Sequence, residues 1–324
     1  MHASAAKPKV VVVGGTYVDM ALRCEEIPQA GQVAPGSGVK YTVSGPGPNQ
    51  AAEAALCGCE VKLISKVGGD CFGEAATKYL AARDVDTALV FVAEAKYTGL
   101  VVTLVNAAGE NAVCEYAGAN AALMPQEIEE AEGAIGDAAV CLIHGGLPQE
   151  TIVKAIRCAE VHGTKVILNP ARPMSTGGQA EGYPVEYFGV DILIPNLYEA
   201  AEIAEQGPAV SIQHVKLLGT DLVARGAACV IITMGRRGCM VVDRNGTDQI
   251  AAFSVEVVDQ TGRGDAFAGA LAAFCAVGGD VREAAKFASA AGALACTKYG
   301  AMESMPKKAE IIELLQREDM GWLR

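Results

Sequence analysis

The sequence predicts an α/β fold, an open, doubly wound α/β/α sandwich, and three observations point to it. Short, almost continuously apolar, β-branched runs recur along most of the chain, and longer stretches between them return an apolar residue every three or four positions. Strands that are apolar on both faces belong to a parallel sheet covered on both sides, and the helical period supplies the covering layers. The length of 324 residues exceeds a typical single domain yet is short for two, so one large domain over 1–324 with an appendage is expected.

The strands are read, in order, as "KVVVVG" from 9, "VKLISKVG" from 61, "AVCLIHGG" from 139, "TKVILNPA" from 164, "DILIPN" from 191 and "ACVIITMG" from 228. Helical patterns lie between them in "FGEAATKYLAARD", "QETIVKAIRCAEVHG" and "LYEAAEIAEQG". Two regions break the rhythm. Residues 17–44 are turn-rich with extended pieces, and within 96–118 "TGLVVTLVN" and "NAVCEYAG" flank the turn "AAGE". These form a small separate sheet, either a lid over a cleft or, through its exposed edges, the contact of a homodimer.

With 26 basic against 38 acidic residues the formal charge is -12, which argues against a nucleic-acid or anionic-membrane partner. No apolar stretch approaches the roughly 18 residues a membrane span needs, and "MHASAAKPK" lacks the apolar core of a signal peptide, so a cytoplasmic location is expected. The 11 cysteines are odd in number and scattered through apolar segments, the pattern of buried free thiols. Cys57 and Cys59 alone do not make a metal site. The 4 histidines fall outside any nucleophile-base arrangement, and His144, at a strand end near the cleft, reads as structural.

The chemistry concentrates in "DQTGRGDAF", residues 259–267, between the strand-like "FSVEVV" and the helical "AFAGALAAFCAV". A glycine-flanked turn feeding a helix turns backbone N–H groups outward at the positive helix end and so makes an anion site. Gly262 and Gly264 permit close approach, and Asp265 falls in the first helical turn. An acid beside a phosphate makes sense if it takes a proton: amides of Gly262, Arg263 and Gly264 would neutralise a γ-phosphate while Asp265 accepts the proton of an attacking hydroxyl. The plain alternative is a helix-start acid after an ordinary turn.

A second glycine-rich turn enters an alanine helix in "SGPGPNQAAEAALCG", residues 44–58. Together the two stretches resemble the paired signatures of the ribokinase (PfkB) family of sugar kinases. "GENAVCEYAGANAAL", "LNPA", "PNLYEAAEI", "ITMGRRG" and "TKYGAMESMP" follow in the family's order. The resemblance implies a ribokinase-like three-layer α/β/α sandwich with a mostly parallel sheet and a small β-sheet lid, and transfer of the γ-phosphate of ATP to a primary hydroxyl of a sugar. It makes Asp19 the acid that grips sugar hydroxyls, with Gly45 and Gly47 letting the backbone approach the sugar and Asn49 offering it donor and acceptor, unless Asn49 is a plain helix cap. Asn196 and Glu199 would organise water and Mg2+ around the phosphates, a task suited to an ion that keeps most of its waters. Thr233, Gly235 and Gly238 would form the ATP loop. K+ would sit against Asp259, Thr261, Ala295, Lys298, Gly300 and Ser304.

The departures cluster on the sugar side. Tyr17 stands where ribokinases carry asparagine, Pro46 where they carry lysine, and Gly145 and Gly146 where they carry glutamate, so the sugar contacts are expected to be altered. Tyr17 either stacks on a sugar ring or base or packs under the lid; Arg263 either pairs with the nucleotide or faces solvent. A nucleoside kinase, favoured by Tyr17 and opposed by "AGANAAL", and a non-catalytic sugar or nucleotide sensor, opposed by the intact Asp265, are the competing readings.

Overall fold

Alternation within the apolar strands divides the core into two layers. In the computed structural model, which describes residues 6–171, 174 and 182–321, Val10 and Val12 of the strand Lys9–Val13 enter one buried cluster while Val11 and Val13 enter the other. The large sheet runs in the order Gly246–Ile250, Cys239–Asp243, Cys229–Thr233, Ile192–Leu193, Lys165–Asn169, Val140–His144, Lys9–Val13, Glu60–Gly68 and Val85–Asp86, with Val90–Ala93 also paired to Glu60–Gly68. Its pairings are parallel except at Cys239–Asp243, which runs antiparallel to both of its neighbours, Cys229–Thr233 and Gly246–Ile250. Each of the six apolar runs read in order as strands of this sheet is one.

One face is covered by alanine-rich helices Pro46–Leu56, Arg263–Ala276 and Val281–Ala295 together with Cys71–Ala81; the other carries Gln149–His162, Leu197–Ile203 and Ile212–Ala224 among its helices. Small residues let the first group approach closely. A Cβ on Gly269 would lie 2.5 Å from the Gln50 carbonyl oxygen, so the helix bearing Asp265 touches the backbone of the helix bearing Asn49. The helix expected in "LYEAAEIAEQG" stops at Ile203, just before Glu205 takes a left-handed φ of 55°.

The lid segments form a separate four-stranded sheet in the order Gly36–Ser44, Tyr17–Cys24, Gly99–Val105, Asn111–Tyr116. Register places Thr42, Asp19, Val101 and Glu115 in one row across it. The strand reading of "FSVEVV" is corrected: residues 251–257 have no strand pairing. Phe253, Val255 and Val257 alternate because they wall a cavity rather than a sheet. All 11 cysteines are free, only Cys71 and Cys114 exposed, and among the described residues no helix is long and apolar enough to cross a membrane.

Where the first strand ends, backbone meets backbone. A Cβ on Gly14 would lie 2.6 Å from Gly47 Cα, and one on Gly47 would lie 2.5 Å from the Gly14 carbonyl oxygen. Gly47, read from sequence as making room for a sugar, instead makes room for Gly14. Gly14→Ala is therefore expected to destabilise the protein by about 1–3 kcal/mol through overpacking, whereas Gly264→Ala, whose Cβ meets nothing within 4 Å, should hold or gain up to about 1 kcal/mol as a helical glycine replaced. Chemical denaturation of both variants checks the contrast.

Candidate active site

Gly262 caps the helix Arg263–Ala276 in a left-handed conformation with φ 77°, which an L side chain rarely adopts, and a Cβ there would also press on the Ala301 backbone. The first helical bond runs from Ala266 N–H to Gly262 C=O at 2.8 Å. The preceding N–H groups of Gly264 and Asp265 thus have no helical acceptor, as expected of a helix start. The Arg263 N–H differs from its neighbours, reaching back to Gln260 C=O at 3.3 Å.

Asp259 braces the turn from below. Its Oδ1 accepts from the Thr261 N–H (2.9 Å) and hydroxyl (2.7 Å), and its Oδ2 from the Gly300 N–H (3.0 Å). Burial works against the charge, but these donors outweigh it and hold the carboxyl below its ordinary range. The second acid behaves oppositely. Asp265 is pushed up to about 6 by burial, against the pull of the Asn49 and Gln50 amides. Asn49 Nδ2 donates to Oδ2 at 2.8 Å and Gln50 Nε2 to Oδ1 at 3.0 Å. The same Gln50 nitrogen reaches Asn169 Oδ1 at 3.2 Å, and Asn169 donates to the Ile194 carbonyl at 3.0 Å, which ties the base to two central strands.

Asn49 is thus no helix cap; it lies a turn inside the helix that Pro46 begins and Gly45 caps. Gln50 was passed over in the sequence. Its signal was a polar residue directly after Asn49 in an otherwise alanine helix, and it is fully buried.

Two cavities flank this centre. The first, of about 340 Å³, lies between the lid and the strand ends and is lined by Tyr17, Gly45, Pro46, Glu115, His144 and Met174, among others. Tyr17 is only 6% exposed, and a Cβ on Gly15, Gly45 or Gly99 would strike its ring at 3.0, 2.9 or 2.8 Å. Three glycines therefore make room for its ring at the cavity wall. Burial, then the neighbouring Glu115 carboxylate, raises its phenol above the ordinary range. Asn120, in the "AGANAAL" segment, clamps the preceding residue: it accepts from the Thr16 N–H (2.9 Å) and donates to the Thr16 carbonyl (2.8 Å).

Asp19 shares the lid face with Tyr17 but does not line the cavity, and its Oδ1 is buried without a partner. Burial raises its carboxyl, with Thr103 and Lys40 opposing.

The second cavity, of about 240 Å³, takes in Asn196, Thr233, Gly235, Gly238, Arg263 and Gly264, with an apolar wall that includes Phe253, Val255 and Val257. Arg263 lies on this cavity rather than in solvent, its guanidinium 3.7 Å from where a Gly235 Cβ would stand. Glu199 does not line it. Asn196 Oδ1 accepts from the Tyr198 and Glu199 N–H groups while Glu199 returns a bond to the Asn196 N–H at 2.8 Å, a capping box. Burial, aided by Glu202 and opposed by that N–H, pushes Glu199 up to about 7.

The residues matched to a cation site are only partly brought together. Asp259, Thr261 and Gly300 are hydrogen-bonded to one another, and Ser304 Oγ donates to the Ala301 carbonyl (2.7 Å). Lys298 Nζ pairs with Glu310 at 3.1 Å, which leaves aside its backbone carbonyl, the group a cation would use. The Ala295 side chain is fully buried at a helix end.

A profile of the pfkB family carbohydrate kinases matches residues 7–308. A ribokinase from Staphylococcus aureus is 31% identical over 94% of this chain and 98% of its own. A deoxyribokinase from Salmonella typhimurium is 29% identical over 94% and 98% respectively. Among solved structures, Arabidopsis thaliana ribokinase complexed with ribose and ATP superposes with a TM-score of 0.87 at 25% identity, covering 96% of this chain and 99% of that one.

The paired amides favour the ionised carboxylate, so removing one should raise the carboxyl further. Carbon-13 titration is expected to find Asp265 near pH 6 and to move it up by about one pH unit in Gln50→Ala, the cost of a hydrogen bond to a charged group.

Proposed function

The chain belongs to the pfkB family of carbohydrate kinases, and from that premise we propose that it transfers the γ-phosphate of ATP to a primary hydroxyl of a sugar, with Asp265 as general base. The observation that carries this is the place of Asp265: it stands at a helix N-terminus that opens on the apolar-walled cavity, held by two amides from the helix beside the lid cavity. An acceptor hydroxyl entering from the lid side and a phosphate from the other would meet there. The Asp265 carboxylate takes the hydroxyl proton as the oxygen attacks the γ-phosphorus, and the bond from that phosphorus to the bridging oxygen breaks, releasing ADP. The helix-start amides and Arg263 stabilise the charge spreading over the equatorial oxygens.

The adenine would lie against Phe253, Val255 and Val257, with Thr233, Gly235 and Gly238 shaping the loop beside it. Gly238 is required there for the fold itself, since a Cβ would lie 1.9 Å from the Ile250 carbonyl oxygen. Asn196 and Glu199, already joined to each other, suit an Mg2+ held through water. That ion would supply charge neutralisation at the phosphates. K+ beside Asp259 would steady the turn beneath the amides.

ADP release from Mg-ATP is to be followed with ribose, deoxyribose, fructose, ketodeoxygluconate and nucleosides, with and without K+. Turnover with a sugar, lost in Asp265→Asn by about 10²–10⁴-fold with ATP binding retained, is the expected result. Sugar and ATP binding without turnover in the wild type would identify a sensor. Preference for nucleosides would overturn the sugar assignment.

Because burial raises Asp265 to about 6 and the base works only when ionised, kcat/KM should fall below about pH 6 and level off above it. The residual activity of Asp265→Asn should lack that limb. A homodimer through the edges of the lid sheet is proposed with them; a monomeric mass in sedimentation removes it.

A further inference from the structure

Two ionisable side chains on the lid cavity take no part in the chemistry above. Glu115 comes from the outer lid strand Asn111–Tyr116, and His144 from the end of the central strand Val140–His144, so one stands on the lid and the other on the sandwich. Glu115 is exposed, and register places it opposite Val101, another lining residue. Its carboxylate can only accept hydrogen bonds.

His144 is complementary. Its Nδ1 accepts from the Gly146 N–H at 3.1 Å, which leaves the proton on Nε2 as a donor. Burial lowers its titration to about 4, so the ring is neutral at working pH. Gly146 is required for this arrangement, since a Cβ there would lie 2.9 Å from His144 Cε1.

Among the described lining residues none is lysine or arginine. The cavity therefore offers one anionic acceptor on the lid and one neutral donor on the sandwich, with Ser44 and Gly45 also lining it.

We propose that Glu115 and His144 are the specificity-determining residues of the acceptor site, and that they select an uncharged polyhydroxylated acceptor whose hydroxyl donates to Glu115 and whose oxygen accepts from His144. This rests on the kinase reading and deepens it. A carboxylate at this wall repels sugar phosphates and sugar acids, and a site built to receive a hydroxyl penalises a ligand lacking one. The Tyr17 phenol stands beside the Glu115 carboxylate on the same cavity. Three polar contacts expected from the family are missing here; Glu115, from the lid, and His144, directly before Gly145 at the end of the central strand, supply two others.

The test uses the full chain and measures KM and kcat for ribose, 2-deoxyribose and fructose against ribose 5-phosphate and gluconate, in the wild type and in Glu115→Gln, Glu115→Ala and His144→Gln. The expected wild type prefers uncharged acceptors. Glu115→Ala is expected to raise their KM by about 10- to 100-fold, the worth of a hydrogen bond to a charged group, while the KM for ATP holds. Glu115→Gln should recover part of that loss and lower the KM of the anionic acceptors. His144→Gln, checked by thermal melting, should raise acceptor KM by up to about tenfold.

Sugar turnover with acceptor KM unmoved in both Glu115 variants overturns this assignment and leaves the kinase reading standing, as does a wild type that prefers anionic acceptors. A wild type that neither turns over nor binds, by calorimetry, any of these sugars overturns both. Glu115 is exposed on a lid strand, so its variants decide the matter even if His144→Gln fails to fold.

Discussion

The two amide hydrogen bonds from Asn49 and Gln50 to Asp265 join residues 216 and 215 positions apart, and the candidate centre depends on them. They orient both carboxylate oxygens and compete with the burial that would otherwise drive the group further toward neutrality. They also require two helix ends to stand side by side, which large side chains would prevent. Gly269 gives the Asp265 helix its contact with the Gln50 backbone, and the Gly14–Gly47 contact seats the other helix on the first strand. The alanine-rich composition of these helices is thus part of how the base is positioned.

Two acids bracket one turn, and their environments push them apart. Asp259 takes three donors and stays low; Asp265 takes two in a more buried setting and rises to about 6. An acid that must hold a loop benefits from being ionised always, whereas an acid that must take a proton benefits from a value nearer neutrality. Asp259 also links the turn to the Gly300 loop, so the helix start is anchored from a segment 41 residues away. The amides that would meet a phosphate are therefore set before any ligand arrives, the condition under which fixed dipoles help most.

The lid and the strand ends divide the first cavity, the proposed acceptor site, between them. Its walls come from the first strand's exit, the lid, the start of the Pro46–Leu56 helix and the end of Val140–His144. Such a composite site changes specificity by substitutions at any of these places without disturbing the base. Tyr17 illustrates the constraint: three glycines leave room for its ring, so its role follows from neighbours far away in sequence.

What the sequence determined by itself was everything that repeats locally. The period of the apolar residues gave strands, helices and both layers, and the glycine turns with their acids located the helix start and Asp265, because those signals lie within a few residues of one another. The paired signatures added the family. The tertiary structure alone decided what depends on residues distant in the chain. It brought Gln50 and Asn169 to Asp265, Glu115 and His144 to the lid cavity, and Arg263 to the apolar-walled cavity. It also turned "FSVEVV" from a strand into a cavity wall, since alternation reports only that one side is covered and not by what. It showed Gly47 facing Gly14 rather than a ligand, because a glycine marks a close approach but never names the partner.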